Sequence, residues 1–135
     1  MIKPITVKDY MAANLLTLKA EATIYHAVEF LLKHHISGAP VVDDNYKLIG
    51  IISEKDCLKL IAKGGSFNLY DVTVADYMTK KVETIPPEMD IYYAAGIFLK
   101  NPYRRLPVVE EGKLVGQISR RDILLAIKEN IQKWL

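Results

Sequence analysis

Two serine–carboxylate pairs stand out for the chemistry their spacing permits. Ser53 and Asp56 lie in "GIISEKD" at 50–56, and Ser119 and Asp122 lie in "GQISRRD" at 116–122. Each serine ends an apolar, strand-like run, and each aspartate follows three residues later in the opening turn of a helical pattern. A helix N-terminus offers free N–H donors and a positive dipole, which suits a phosphate. A serine hydroxyl there adds a donor. An ionised carboxylate one turn along accepts hydrogen bonds only, and it takes two from vicinal ribose hydroxyls in other nucleotide sites. Phosphate seat, hydroxyl and diol acceptor together describe a nucleotide. The same residues also have a purely structural reading. Ser53 and Ser119 are good helix N-caps, and S-x-x-[DE] resembles a capping box, although that motif prefers Glu or Gln at its last position. A duplicated unit would duplicate its caps, so recurrence leaves both readings open.

The elements that must position these turns come from an internal repeat. "TVKDYM" at 6–11 returns as "TVADYM" at 73–78, a shift of 67 residues. At that shift Thr17 falls on Thr84, Ile24 on Ile91, Tyr25 on Tyr92 and Ala27 on Ala94, and "PVV" at 40–42 falls on "PVV" at 107–109. After a slip of one residue, Leu48, Gly50, Ser53 and Asp56 fall on Leu114, Gly116, Ser119 and Asp122. The repeats run over 1–65 and 66–135, joined through "AKGGSFNLYD" at 62–71. A unit of ~60 residues buries little surface alone, so paired halves sharing a core are the expected solution.

Within each copy, apolar periodicity predicts the elements. Ile24, Ala27, Val28, Leu31 and Leu32 form a helical stripe capped by Thr23. Ile91, Ala94, Ala95, Phe98 and Leu99 repeat it behind Asp90. Two β-rich runs follow, "APVVD" and "KLIGIIS" in the first copy, "LPVVE" and "KLVGQIS" in the second, each pair around a turn. A second helix follows each, and short extended pieces near Leu15–Leu18 and Val82–Ile85 open the units. The predicted order is β-α-β-β-α, twice: an α/β fold with small sheets.

Composition excludes several function classes. Of 135 residues, half are apolar and 25% charged, and the formal net charge of +2 comes from interspersed acids and bases rather than the concentrated positive face of a nucleic-acid binder. No apolar run approaches the ~20 residues of a membrane span, and the start lacks the apolar block of a signal peptide. Cys57 is the only cysteine, which excludes an intrachain disulfide, and a cytoplasmic location is the default expectation. No nucleophile with a positioned base, no metal-ligand cluster and no P-loop is visible, so no enzyme activity and no metal are expected. His34 and His35 suit a helix C-terminus. His26 reads as surface, and Tyr25, Tyr92 and Tyr93 as packing or interface residues. Trp134 reads as a partner anchor or a frayed tail.

The ordered set "V-x-D-Y-M", an "I-Y-x-A" helix, then "APVVD…KLIGIISEKD" and "LPVVE…KLVGQISRRD", resembles a tandem pair of cystathionine-β-synthase (CBS) domains, a Bateman module, over roughly residues 5–130. The resemblance implies two β-α-β-β-α units packed about a pseudo-twofold axis through their sheets, with adenine nucleotides or adenosine derivatives in two composite clefts. Cleft one would use Ile51, Ser53 and Asp56, faced by Thr84, Tyr103, Arg104 and Arg105. Cleft two would use Gln117, Ser119 and Asp122, with Thr17, Ile36, Ser37 and Gly38, and carries Arg120 and Arg121 in its turn. Asp56 and Asp122 would hold ribose hydroxyls, and Ser53 and Ser119 phosphate or ribose oxygens. Apolar residues around Thr17 and Thr84 would sandwich the base. Arginine suits phosphate through paired charge-assisted bonds, whereas Glu54 in cleft one's turn disfavours polyphosphate, so cleft one is expected to prefer fewer phosphates.

The leading expectation is thus a stand-alone regulatory module. It would bind an AMP-, ADP- or ATP-type ligand, form a homodimer through its helices, and signal to a partner protein by differential affinity for two arrangements. The alternative is a dimerisation or docking module with no ligand. A nucleic-acid binder reusing the basic turns would need a continuous positive face.

Overall fold

The computed structural model describes residues 3–64 and 68–131. Its helices are α1 (Val7–Tyr10), α2 (Ile24–His34), α3 (Glu54–Ala62), α4 (Val74–Tyr77), α5 (Ile91–Lys100) and α6 (Arg120–Asn130). Its strands are β1 (Gly38–Val42), β2 (Leu48–Ser53), β3 (Arg105–Glu110) and β4 (Lys113–Ser119). Trp134 and positions 65–67 of the joint lie outside the described residues.

The chain divides into two compact units whose limits are not those of the sequence repeats. One is continuous, Leu16–Val82. The other is discontinuous, Met1–Leu15 with Glu83–Leu135. The opening motif of each sequence copy therefore packs with the strands and helices of the other copy. Val74, from "TVADYM", is fully buried in the continuous unit's core with Leu18, Ile24, Ala27, Leu31, Val41, Ile52 and Leu60. Val7, from "TVKDYM", is fully buried in the discontinuous unit's core with Ile85, Ile91, Phe98, Leu106, Ile118 and Ile123. Burying a valine contributes about 1.5–3 kcal/mol, so each motif is a substantial part of the core it joins.

In the continuous unit β1 and β2 pair antiparallel, Gly38 with Ser53 through Val42 with Leu48, with a bulge between Val41 and Val42. A single bridging residue guards each edge: Leu18 lies parallel to Val41 and Thr79 antiparallel to Ile51. The short opening strand expected near Leu15–Leu18 is thus one ladder residue. The discontinuous unit repeats the plan. Arg105 pairs with Ser119 through Glu110 with Lys113, Ile85 bridges Val108, and Ala12 bridges Gln117. Covered edges protect two-stranded sheets that would otherwise present unpaired backbone.

The helices follow their caps. Thr23 Oγ1 accepts from the His26 amide at 3.1 Å and Asp90 Oδ1 from the Tyr92 amide at 2.8 Å. α2 ends on His35 in a left-handed conformation, φ 53°. The buried seam is narrower than the sequence stripe: Ile24, Ala27 and Leu31 are buried, but Leu32 is 68% exposed, as is Leu99 of α5 at 88%. A two-stranded sheet is only wide enough to cover one row of a helix, and the flanking leucines are left outside it.

Candidate functional site

Both serine turns form complete capping boxes. In the continuous unit Ser53 Oγ accepts from the Asp56 amide at 3.2 Å, while Asp56 Oδ2 accepts from Ser53 N and from Ser53 Oγ, both at 2.9 Å. The amide of Glu54 donates to the Ser37 carbonyl at 2.9 Å. Asp56 is 4% exposed. Its second oxygen, Oδ1, lies 3.4 Å from the Thr79 hydroxyl and 3.9 Å from Lys59 Nζ.

In the discontinuous unit Ser119 Oγ accepts from the Asp122 amide at 3.2 Å, and Asp122 Oδ2 from Ser119 N at 2.8 Å. The Arg120 amide donates to the Arg104 carbonyl at 3.1 Å, and Arg120 Nε to the Tyr103 carbonyl at 2.9 Å. Asp122 is half-buried, and its Oδ1 has no partner among the described residues.

These geometries qualify the expectation of free donors at the helix starts. The first amide of α3 and of α6 is spent on a carbonyl of the preceding segment, and the third on its capping serine. The second, that of Lys55 or Arg121, has no capping partner among the described residues. Capping and ligand binding are compatible readings, because the cap occupies one carboxylate oxygen and an ionised carboxylate has about four lone-pair positions.

The other expected residues fall out by unit. Thr17, Ile36, Ser37, Gly38, Ile51, Ser53 and Asp56 belong to the continuous unit, and Thr84, Tyr103, Arg104, Arg105, Gln117, Ser119, Arg120, Arg121 and Asp122 to the discontinuous one. Thr17 and Thr84 each precede the bridging residue at a sheet edge. Ile36 donates its amide to the Leu31 carbonyl, closing α2. Ile51 and Gln117 have both main-chain groups committed. Ile51 exchanges bonds of 2.9 and 2.8 Å with Thr79, and Gln117 bonds of 2.9 and 2.8 Å with Ala12. All four arginines, exposed, gather at one end of the β3–β4 sheet, Arg104 and Arg105 beside the turn that carries Arg120 and Arg121. The equivalent positions of the continuous unit are Ser37, Gly38, Glu54 and Lys55, which sum to no net charge.

Thr79 escaped the sequence reading. It follows "DYM" directly, and its counterpart at a shift of 67 is Ala12, so a difference between copies was visible. What it touches was not, because Thr79 meets Asp56 only through the sheet edge. The glycine of each turn motif also has its explanation there. A Cβ on Gly50 would lie 2.7 Å from Met78 Sδ and 3.0 Å from the Thr79 carbonyl; one on Gly116 would lie 3.1 Å from the Ala12 carbonyl and collide with Met11 Sδ. The glycines let the opening segments lie against the sheets.

A tyrosine ties each opening segment to the C-terminal end of the helix that starts at its unit's serine turn, α6 or α3. Tyr10 donates to Glu129 Oε1 at 2.8 Å and accepts from Asn130 Nδ2 at 2.9 Å. Lys63 donates to Tyr77 at 2.7 Å. The bond to Glu129 raises the Tyr10 pKa. Cys57 is buried beside Asp56, and burial first, then the charges of Asp56 and Glu54, push its thiol pKa up, which does not suit a nucleophile. Among the described residues no group of three His, Cys, Asp or Glu side chains is placed to hold a metal ion, and no helix is long and apolar enough to cross a membrane.

Two units of one plan, each a two-stranded antiparallel sheet with helices and a capped serine–aspartate turn, define a tandem domain pair. The CBS domain family model matches residues 7–63 and 74–129, and the chain belongs to that family as a tandem CBS pair. Among its relatives, protein MJ1225 of Methanocaldococcus jannaschii is 36% identical over 118 residues, 87% of this chain and 41% of that protein. The chloroplastic CBS domain-containing protein CBSX1 of Arabidopsis thaliana is 33% identical over 149 residues, 90% of this chain and 63% of that protein. The chain thus spans less than two thirds of either relative. The solved structure of the CBS-pair protein CBSX2 from Arabidopsis thaliana matches with a TM-score of 0.82 at 30% identity, covering 96% of this chain and 99% of that one. CBSX2 in complex with AMP matches at 0.78 and 33% identity, covering 92% and 96%. The CBS pair of protein MJ0100, in complex with 5′-methylthioadenosine and S-adenosyl-L-methionine, matches at 0.76 and 27% identity, covering 95% and 99%.

Proposed function

We propose that this CBS pair is a non-catalytic regulatory module that binds an adenosine-containing ligand at its serine–aspartate turns and passes its occupancy to a partner. The observation that carries the reading is the pairing of a capped turn whose aspartate retains an acceptor with relatives of the same fold that hold AMP, 5′-methylthioadenosine or S-adenosyl-L-methionine. Asp122 and Asp56 take ribose hydroxyls, and Ser119 and Ser53 neighbouring oxygens. Gln117 and Ile51 line the ligand with their side chains. Arg104, Arg105, Arg120 and Arg121 supply charge for a phosphate, with Tyr103 adjacent in sequence and Thr84 in the same unit. Thr17, Ile36, Ser37 and Gly38 serve an uncharged part of the ligand. The lone buried thiol of Cys57 suits a reducing compartment such as the cytoplasm.

The exposed apolar side chains on the helices, Leu58 of α3, Leu99 of α5 and Leu124 and Leu125 of α6, support association into a homodimer. Light scattering coupled to size exclusion tests that state directly.

The test of ligand binding is a thermal-shift screen with AMP, ADP, ATP with and without magnesium, 5′-methylthioadenosine and S-adenosylmethionine. A ligand bound only by the folded state stabilises it by about 2.7 kcal/mol at a hundredfold excess over Kd. A shift with one of these compounds is the expected result. No shift with any of them would favour a module that docks proteins without a small molecule.

A further inference from the structure

The two turns differ in how much of each carboxylate is still free. An ionised carboxylate offers about four lone-pair positions. Asp56 has three engaged: two on Oδ2, by the Ser53 amide and hydroxyl, and one on Oδ1, by the Thr79 hydroxyl, with Lys59 beside it. Asp122 has one engaged, by the Ser119 amide, and three open, both of those on Oδ1 included. The serine hydroxyls differ in step. Ser53 gives its proton to Asp56, whereas the proton of Ser119 has no acceptor among the described residues. A vicinal diol needs two acceptor positions. The Asp122 turn has them and the Asp56 turn does not.

We infer that only the Ser119–Asp122 turn discriminates a ribose from a deoxyribose, and that Thr79 is the residue that removes this discrimination from the Ser53–Asp56 turn. The inference rests on the ligand reading above and deepens it. Ala12, the counterpart of Thr79, carries no hydroxyl, which is why the discontinuous unit keeps Oδ1 open. A ligand with a single hydroxyl takes the one open position on Oδ1 and leaves the Thr79 contact in place. A second hydroxyl finds no position until Thr79 is gone.

The experiment is calorimetric titration of the full chain with AMP and with 2′-deoxy-AMP, in wild type and in the Asp56→Ala, Asp122→Ala and Asp122→Ala/Thr79→Val variants. Folding is checked by circular dichroism, and Asp→Asn variants replace any alanine variant that fails to fold. Losing one hydrogen bond to a charged group weakens binding about ten- to hundredfold. Asp56→Ala, which leaves the Asp122 turn, is expected to prefer AMP by that factor. Asp122→Ala is expected to bind both ligands within about threefold, and adding Thr79→Val to raise its preference for AMP to about tenfold. Equal discrimination at the two turns, no AMP binding by Asp122→Ala, or no effect of Thr79→Val would overturn the assignment while leaving nucleotide binding in place. Wild type that binds neither nucleotide would overturn the ligand reading itself, and this inference with it.

Discussion

Replacing Gly50 with alanine tests how tightly the opening segment of the second sequence copy is held to the first copy's sheet. The new Cβ would stand 2.7 Å from Met78 Sδ, 3.1 Å from Met78 Cγ and 3.0 Å from the Thr79 carbonyl. Comfortable non-bonded separations are about 3.5–4.0 Å, so all three contacts are too close. The methionine has rotamers to turn to. The carbonyl has none, because it accepts from the Ile51 amide at 2.9 Å. Overpacking of this kind costs about 1–3 kcal/mol, and at roughly 4 °C per kcal/mol for a chain of this size the melting temperature should fall by roughly 4–12 °C. Thermal melts followed by circular dichroism give the shift, and hydrogen exchange at the Ile51 and Thr79 amides shows whether that bridge is what opens. Met78→Ala in the same background should recover part of the loss, a coupling of about 1 kcal/mol, and leave the part due to the carbonyl. A Gly50→Ala protein that melts within about 1 °C of wild type, with both amides still protected, would refute the close approach and the packing of this segment with it.

Three further outcomes follow from the packing and titration chemistry. A fragment cut at the packing limits, 16–82, should fold more completely by circular dichroism than one cut at the repeat limits, 1–65, because the latter lacks the buried Val74 and the Thr79 bridge. Asp43 is held below the usual carboxylate range, first by the Lys47 amide and then by the Asn45 amide, Lys47 and Lys19. A depressed folded pKa contributes stability above the unfolded value of about 3.9 that is lost as pH falls through the folded value. Wild type should therefore exceed Asp43→Asn in urea midpoint at pH 7, and the gap should shrink as pH is taken below about 3.9. Cys57, buried with its thiol pKa raised, should react with a thiol reagent at pH 7 only slowly, and rapidly once urea unfolds the chain; fast labelling of the folded protein would contradict its burial.

Much of the local structure was readable in advance. The cap residues Thr23, Asp90, Ser53 and Ser119 are where their spacing placed them, and the paired β runs form the two sheets. These readings succeed because caps and ladders depend on residues a few positions apart. The helical stripes were read too wide at Leu32 and Leu99, since periodicity reports which residues share a face and not how much of that face a small sheet covers. The functional reading of the aspartates was legible only as a choice between cap and acceptor. In the structure Oδ2 of Asp122 sits in the cap while Oδ1 has no partner among the described residues, so the two readings do not exclude each other.

The sequence by itself determined the duplication, the order of the long helices and paired strands in each copy and the chemical type of each turn, because these are set by local spacing and are written twice; it did not determine the short opening helices α1 and α4. Tertiary structure alone decided which sheet each opening motif joins. "TVKDYM" and "TVADYM" carry the same buried valine and the same methionine, so either would suit either sheet, and nothing local distinguishes the exchange. It also decided that Thr79 meets Asp56, a contact between residues 23 positions apart that exists because a sheet edge brings them together. The two turns share their serine and aspartate in sequence, and this long-range contact makes the surroundings of the two carboxylates differ.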